Sequence, residues 1–157
     1  VSFAFEQGGI VFTHILFPTD GSAASTAAAR ACIRFAAEAG ARVTAVHVVP
    51  PMNLLTYEPA MTDEALEAYR RNRDARAREC LEPVAQAARA ANVAFANVLL
   101  EGGDPYEAIL AAARDHGCDL ILMASHGRKG VRGLLLGSQT QKVLTHSSIP
   151  VMVFRGT

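Results

Sequence analysis

Five short apolar runs recur along the chain, separated by alanine-rich or charged stretches that carry helix start and stop signals. The runs are "VFTHILFP" (11–18), "RVTAVHVVP" (42–50), "VAFANVLLEG" (93–102), "CDLILMA" (118–124) and "IPVMVFR" (149–155). Dense in Val, Ile, Leu and Phe, and stopped in turn by Pro18, by the Pro50-Pro51 pair and by Gly102, they read as buried strands. The intervening "TDGSAASTAAARACIRFAAEAGA" has Ser22 as a cap candidate and Gly40 as its stop. Residues Tyr57 to Ala60 read as a loop. A charged helix is then expected from about Thr62 to Ala91, with Asp63 and Glu64 where the helix dipole favours them. Pro83 is expected to kink or split it. A third helix, "DPYEAILAAARDHG", has Asp104 as cap, Pro105 at its first position and Gly117 as its stop. "GSQTQKVLTHSS" reads as a short fourth.

Strands alternating with helices predict an α/β fold: an open, five-stranded, largely parallel sheet with helices on both faces, Rossmann-like in type. With 157 residues, half of them hydrophobic, the chain has room for one core and one domain. Residues 1–10, broken by Gly8-Gly9, are expected to form an N-terminal extension outside the core fold, leaving 11–157 as the domain.

Charge and cysteine content narrow the function. Fifteen Lys plus Arg balance fifteen Asp plus Glu, so the chain has no bias toward nucleic acid or an anionic membrane, and neither is expected as a partner. Any anion site must be local. Cys32, Cys80 and Cys118 are odd in number and in no metal-binding spacing, as expected of buried reduced thiols. No apolar run approaches the roughly 18 residues of a membrane span, and the first residues lack the pattern of a signal peptide. A soluble, cytoplasmic protein is expected.

In open parallel sheets the ligand crevice lies beyond the carboxyl ends of the strands, where strand order reverses. Three segments should reach that edge: Pro18-Thr19-Asp20, Val48 to Pro50, and Met123 to Gly127. Thr19 and Asp20 offer a hydroxyl and a carboxylate to ribose or base edges, or they cap the first helix together with Ser22; the two roles are compatible. The stretch "MASHGRKGVRGLLLGSQTQKV" (123–143) is more specific. Gly127, Gly130 and Gly133 allow positive φ and close approach to a ligand, and Gly137-Ser138 opens a helix whose free N–H groups suit phosphate. Arg128, Lys129 and Arg132 either pair with phosphate oxygens or sit in solvent. A purely structural turn is the alternative reading. Neither a P-loop nor a G-x-G-x-x-G after the first strand is present.

His126 is the best-placed acid–base candidate, as a phosphate donor or proton relay; its plainer role is a loop hydrogen bond. His47 reads as a satisfied sheet-face residue, and His14, His116 and His146 have no evident partners in sequence. No hydrolase elbow or zinc-protease pair appears, so any hydrolysis at such a phosphate site should be slow.

Ala124-Ser125-His126-Gly127, nine residues "RKGVRGLLL", then Gly137-Ser138 resemble the signature of the nucleotide-binding universal stress proteins, in which G-x-x-G precedes nine residues and G-[ST]. The early "ILFPTDGS", the "VHVV" of the second strand and the closing "HSSIPVMVFR" are similar to that family as well, so the resemblance runs from Val11 to Arg155. The departure is Ala124 in place of the first glycine. The resemblance implies a fold of the adenine nucleotide alpha hydrolase type and binding of ATP or another adenine nucleotide, with Mg²⁺ or Mn²⁺ left open. It implies that Pro18, Thr19 and Asp20 line the adenosine end, that backbone groups of Val48 contact adenine, and that Met123 and Ala124 form the floor. His126, Gly127, Arg128, Gly130, Gly137, Ser138, Gln139 and Thr140 would lie about the phosphates. It also implies a homodimer through the C-terminal strand Ile149–Arg155, acting as a stress-response or signalling module. The alternatives are a slow adenine-nucleotide hydrolase or transferase using the same crevice, and a nucleotide-free structural member of the family.

Overall fold

The computed structural model describes residues 12–51, 62–127 and 136–156. The elements run β1 (His14–Pro18), α1 (Ala23–Ala39), β2 (Arg42–Val49), α2 (Asp63–Ala90), β3 (Phe95–Glu101), α3 (Pro105–Asp115), β4 (Leu120–Ala124), α4 (Ser138–His146) and β5 (Val151–Phe154). The sheet order is β3-β2-β1-β4-β5, and all four pairings are parallel. The expected extension, residues 1–10, lies outside the described residues, as does the Tyr57–Ala60 loop.

The period of two in the central strands divides the core. Ile15 and Phe17 of β1, Val43 and Ala45 of β2, and Leu120 and Leu122 of β4 face one side, where Cys32 and Ile33 of α1 and Leu81 and Val84 of α2 cover them. Leu16, Val46, Ile121 and Met123 face the other, under Ile109 and Ala112 of α3 and Val143 of α4. Both faces are covered, which is why these strands are almost wholly apolar. Ile15, Leu16 and Phe17 are fully buried, each worth about 1.5–3 kcal/mol of transfer free energy.

The helix punctuation follows the sequence with two differences. Ser22 Oγ accepts from Ser25 N–H, and Gly40 and Gly117 sit at left-handed φ of 66° and 64° after α1 and α3. Pro83, by contrast, lies inside one continuous 28-residue helix and does not split it. Asp104 occupies the cap position of α3, yet its side chain makes no cap hydrogen bond. In α2 the buried stripe runs from Ala77 to Ala88, so the arginine-rich amino-terminal half has no buried residue and stands as a solvated face.

His14 acquires a partner that sequence spacing does not reveal. Its Nε2 lies 2.8 Å from Thr44 Oγ1, whereas its buried Nδ1 has no hydrogen bond among the described residues. Burial, reinforced by the Arg42 guanidinium, holds its pKa below 6.5. Nearby, Asp119 accepts from the Thr13 hydroxyl and from the Thr13 and His14 amides. Burial pushes its pKa up, but those hydrogen bonds outweigh it and hold the carboxyl below its usual range.

Candidate functional site

The sheet opens where strand order reverses. β1 pairs with β2 over five residues but with β4 only at Ile15↔Leu120 and Leu16↔Ile121. Beyond Leu16 and Ile121 no further β1–β4 pair forms, which sets Pro18-Thr19-Asp20 and Met123-to-Gly127 on the two sides of the switch point where sheets of this kind place their ligand crevice.

On the β1 side, the turn is locked by its own polar groups. Thr19 N–H donates to Val46 O, Thr19 Oγ1 accepts from Gly21 N–H and the Ser25 hydroxyl, and Asp20 Oδ1 accepts from Ser22 N–H at 3.0 Å. Gly21 has φ of 73°, which this tight turn requires. His47 Nδ1 donates to Thr19 O at 2.7 Å, and the Cys80 thiol reaches Asp20 O at 3.6 Å. Thr19 and Asp20 therefore build the turn and border the crevice at once. Ser25, His47 and Cys80 support it, and nothing in the motif spacing marks them.

β2 contributes backbone. Val46 O accepts from Thr19 on the β1 side, whereas Val49 O accepts from Gly102 N–H on the β3 side. Strand alternation then turns Val48 N–H and C=O toward the β1 side, past the point where β1 has ended. The Val48 side chain, like those of Val98 and Leu100, packs against the core cluster that includes Val46 and Ile109.

On the β4 side, Met123 and Ala124 are buried, and the Ala124 methyl belongs to the core cluster around Phe17 and Ala28. Ser125 Oγ lies 2.9 Å from His126 Nδ1, so the plainer loop-bond role for His126 is present. Gly127 crosses the crevice to Asp20: a Cβ at 127 would fall 2.5 Å from Asp20 Oδ2. Space, not positive φ, is what demands glycine there. Gly137 is less constrained: its φ is −68°, and a Cβ there would meet Ser125 O at 3.4 Å, an ordinary contact, so only a side chain larger than alanine would intrude. Arg128 and Gly130 lie outside the described residues, as do Lys129, Arg132 and Gly133.

α4 closes the site. Gly137 N–H donates to Ser125 O at 2.7 Å, and the buried Thr140 hydroxyl donates to Ala124 O at 3.1 Å, so the start of the helix is tied to the end of β4. The Ser138, Gln139 and Thr140 amides, in its first turn, have no partner within the helix. Ser138 is exposed. The Gln139 side chain turns to α3, where its Oε1 accepts from Tyr106 N–H at 3.0 Å. Among the described residues, no group of three or more His, Cys, Asp or Glu is placed to hold a metal ion. A separate cleft of about 280 Å³, lined by Leu110, Arg114 and His146 to Ile149, holds none of the expected site residues. All three cysteines are buried and none is in a disulfide; burial raises the Cys32 thiol pKa to about 12 and that of Cys118 to about 11. No helix among the described residues is long and apolar enough to cross a membrane.

Known proteins share this fold. A universal stress protein from Thermus aquaticus is 37% identical over 146 residues, covering 92% of this chain and all of the relative. The solved structure of the Methanocaldococcus jannaschii protein MJ0577 superposes with a TM-score of 0.76 at 26% identity, over 94% of this chain and 99% of that one. Two further solved universal stress proteins share the fold: one in complex with cAMP (TM-score 0.65, 21% identity, 94% and 99% covered) and one from Archaeoglobus fulgidus in complex with dAMP (0.64, 20%, 92% and 98%). The pattern of the Universal stress protein family matches residues 12–155, a span that takes in every strand and helix from β1 to β5. The chain belongs to the universal stress protein family.

Proposed function

We propose that this chain binds an adenine nucleotide, ATP in the first instance, in the crevice between β1 and β4, and serves as a dimeric stress-response or signalling module. The observation that carries this reading is the set of backbone groups that the fold leaves facing the crevice. Val48 N–H and C=O can pair with an adenine edge, and the first amides of α4 can receive phosphate oxygens. Asp20 is at hand for ribose. The relatives solved with cAMP and dAMP support the ligand class. The site suits a nucleotide better than a resident metal: among the described residues Asp20 alone offers a carboxylate there, so Mg²⁺ or Mn²⁺ would be held chiefly by phosphate oxygens. The bound nucleotide would supply its phosphates as the charged group the cradle recognises.

Titration calorimetry of ATP, AMP and NADH against the wild type and Gly137→Val tests the assignment. ATP should bind the wild type and lose affinity in the variant, since a β-branched side chain would intrude on Ser125 O and Thr140 Oγ1. Equal binding by both proteins would refute the placement of the phosphates. The dimer is expected through β5, an edge strand whose Met152 is 38% exposed and whose outer edge has no strand partner among the described residues. Met152→Glu should shift the sedimentation profile toward monomer.

The Ser125–His126 pair favours a second reading. If the Ser125 hydroxyl donates to Nδ1, His126 presents Nε2–H as a donor to a phosphate, and slow hydrolysis or transfer becomes possible. Turnover that persists through purification and is lost in His126→Ala would establish it; binding without turnover would leave the protein a binding module.

A further inference from the structure

α4 has little of its own to hold it. At nine residues it is shorter than helices that persist alone in water, its cap residue Gly137 makes no side-chain cap bond, and only Thr140 and Val143 are buried. The bonds from Gly137 to Ser125 and from Thr140 to Ala124 fix the edge against β4. Held by that edge alone, the helix is free to roll.

A second edge is supplied by Gln139, Lys142 and His146, spaced i, i+3 and i+7 on one helix face. All three meet the start of α3. Gln139 Oε1 accepts from Tyr106 N–H, taking the capping role that the Asp104 side chain leaves open. Lys142 Nζ lies 3.4 Å from both carboxylate oxygens of Asp104 and 4.9 Å from the centroid of the Tyr106 ring. The His146 ring lies 5.5 Å from that of Tyr106.

We propose that Gln139 and Lys142 are positioning residues for the phosphate end of the nucleotide site: through Tyr106 and Asp104 they set the rotation of α4 about its own axis. The direction of the Ser138, Gln139 and Thr140 amides follows from that rotation, and hydrogen bonds weaken steeply when donor and acceptor lose alignment. Gln139 thereby serves the phosphates through its backbone, while its carboxamide serves α3. The inference rests on the nucleotide reading above. It goes further by assigning two side chains that act only on the phosphate-bearing part of the ligand.

The test compares ATP with adenosine by calorimetry, using the wild type, Gln139→Leu, Lys142→Met and Lys142→Arg. ATP affinity should fall about fivefold in Gln139→Leu and about threefold in Lys142→Met, with adenosine affinity unchanged. Lys142→Arg keeps the cation for Asp104 and the stacking on Tyr106, and should restore ATP binding. Lys142 is partly exposed, so its variants should fold, and circular dichroism checks that they do. If the wild type binds adenosine and ATP equally well, the phosphate cradle itself is refuted, and the positioning role goes with it. If the wild type prefers ATP and the variants keep the same ratio of ATP to adenosine affinity, the cradle stands and the positioning role is overturned. A lowered melting temperature with an unchanged ratio also overturns it, because a purely structural contact behaves that way.

Discussion

Gly127→Ala places the sharpest steric demand on the crevice. The new Cβ would lie 2.5 Å from Asp20 Oδ2, against ordinary C···O contacts of about 3.3–3.6 Å. The Asp20 carboxylate must therefore move by roughly 0.8 Å or more, and in doing so it strains or loses the 3.0 Å bond in which Oδ1 accepts from Ser22 N–H. A hydrogen bond to a charged group contributes about 1.5 kcal/mol at the low end, which suits a half-buried turn, and an off-rotamer side chain costs about 1 kcal/mol. Against this, alanine reduces the freedom of the unfolded chain by about 0.5 kcal/mol, a gain realised because Gly127 is not in the left-handed region. The net loss should be about 1–2 kcal/mol, or roughly 3–6 °C in melting temperature for a chain of this size. Urea unfolding of wild type, Gly127→Ala, Asp20→Ala and the double variant isolates the contact. In the Asp20→Ala background the obstructing carboxylate is gone, so adding Gly127→Ala should cost almost nothing, giving a coupling of about 1.5 kcal/mol. Strict additivity would refute the claim that Gly127 is glycine because of Asp20. Gly137→Ala is the control, since its nearest contact of 3.4 Å requires only a small shift and predicts a loss under about 0.5 kcal/mol.

Four further outcomes follow from buried and half-buried groups. The folded-state pKa of His14 lies below 6.5, so the neutral form is the stable one; stability should be complete above about pH 6.5 and fall as pH drops through the folded pKa. Melting curves between pH 7 and 5 should show that slope in the wild type and lose it in His14→Gln. Asp119, whose folded pKa is depressed, contributes stability above about pH 4 that disappears on further acidification, and Asp119→Asn should flatten that region. With pKa values near 12 and 11, Cys32 and Cys118 should resist a thiol reagent at pH 8 in the native protein and react in urea; rapid native labelling of either would contradict their burial. Ala124→Gly should cost about 1 kcal/mol of stability, through lost packing and added chain entropy, and should leave ATP affinity unchanged. A gain in affinity would show that the methyl faces the ligand.

The strands and helix ends were legible because their signals are local. Val-rich runs ended by proline, Ser22 as cap, and Gly40 and Gly117 as stops each act within a few residues, and each occupies its expected place. Gly127 and Gly137-Ser138 could be picked out together for a related reason, since both lie in one short stretch of the sequence. What the sequence concealed depends on contacts across distant segments. His14 meets Thr44 across β1 and β2, Cys80 reaches Asp20 from α2, and Asp104 yields its capping role to a glutamine 35 positions later. Pro83, expected to kink or split α2, does not split it, for another reason. A proline removes one hydrogen bond and crowds one carbonyl, but a helix packed through Cys80, Leu81, Val84 and Ala85 on both sides of it has enough burial to continue.

Ala124 shows how the site divides its labour between backbone and side chain. Residues alternate faces along β4, and Leu120, Leu122 and Ala124 all face the cluster built on α1 and α2. The methyl at 124 is thus directed into packed core, while the Ala124 carbonyl accepts from the Thr140 hydroxyl and anchors α4. A residue in that position serves the crevice through its backbone, which alanine and glycine provide alike. Gly127 sits past the strand end, where alternation no longer governs and where Asp20 occupies the only direction a Cβ could take. The two positions of one signature therefore carry different constraints: the first tolerates a small side chain because the sheet points it away, whereas the second is fixed by a carboxylate on the opposite wall. The chain's one departure from the signature, Ala124, thus falls where the sheet directs the side chain into the core.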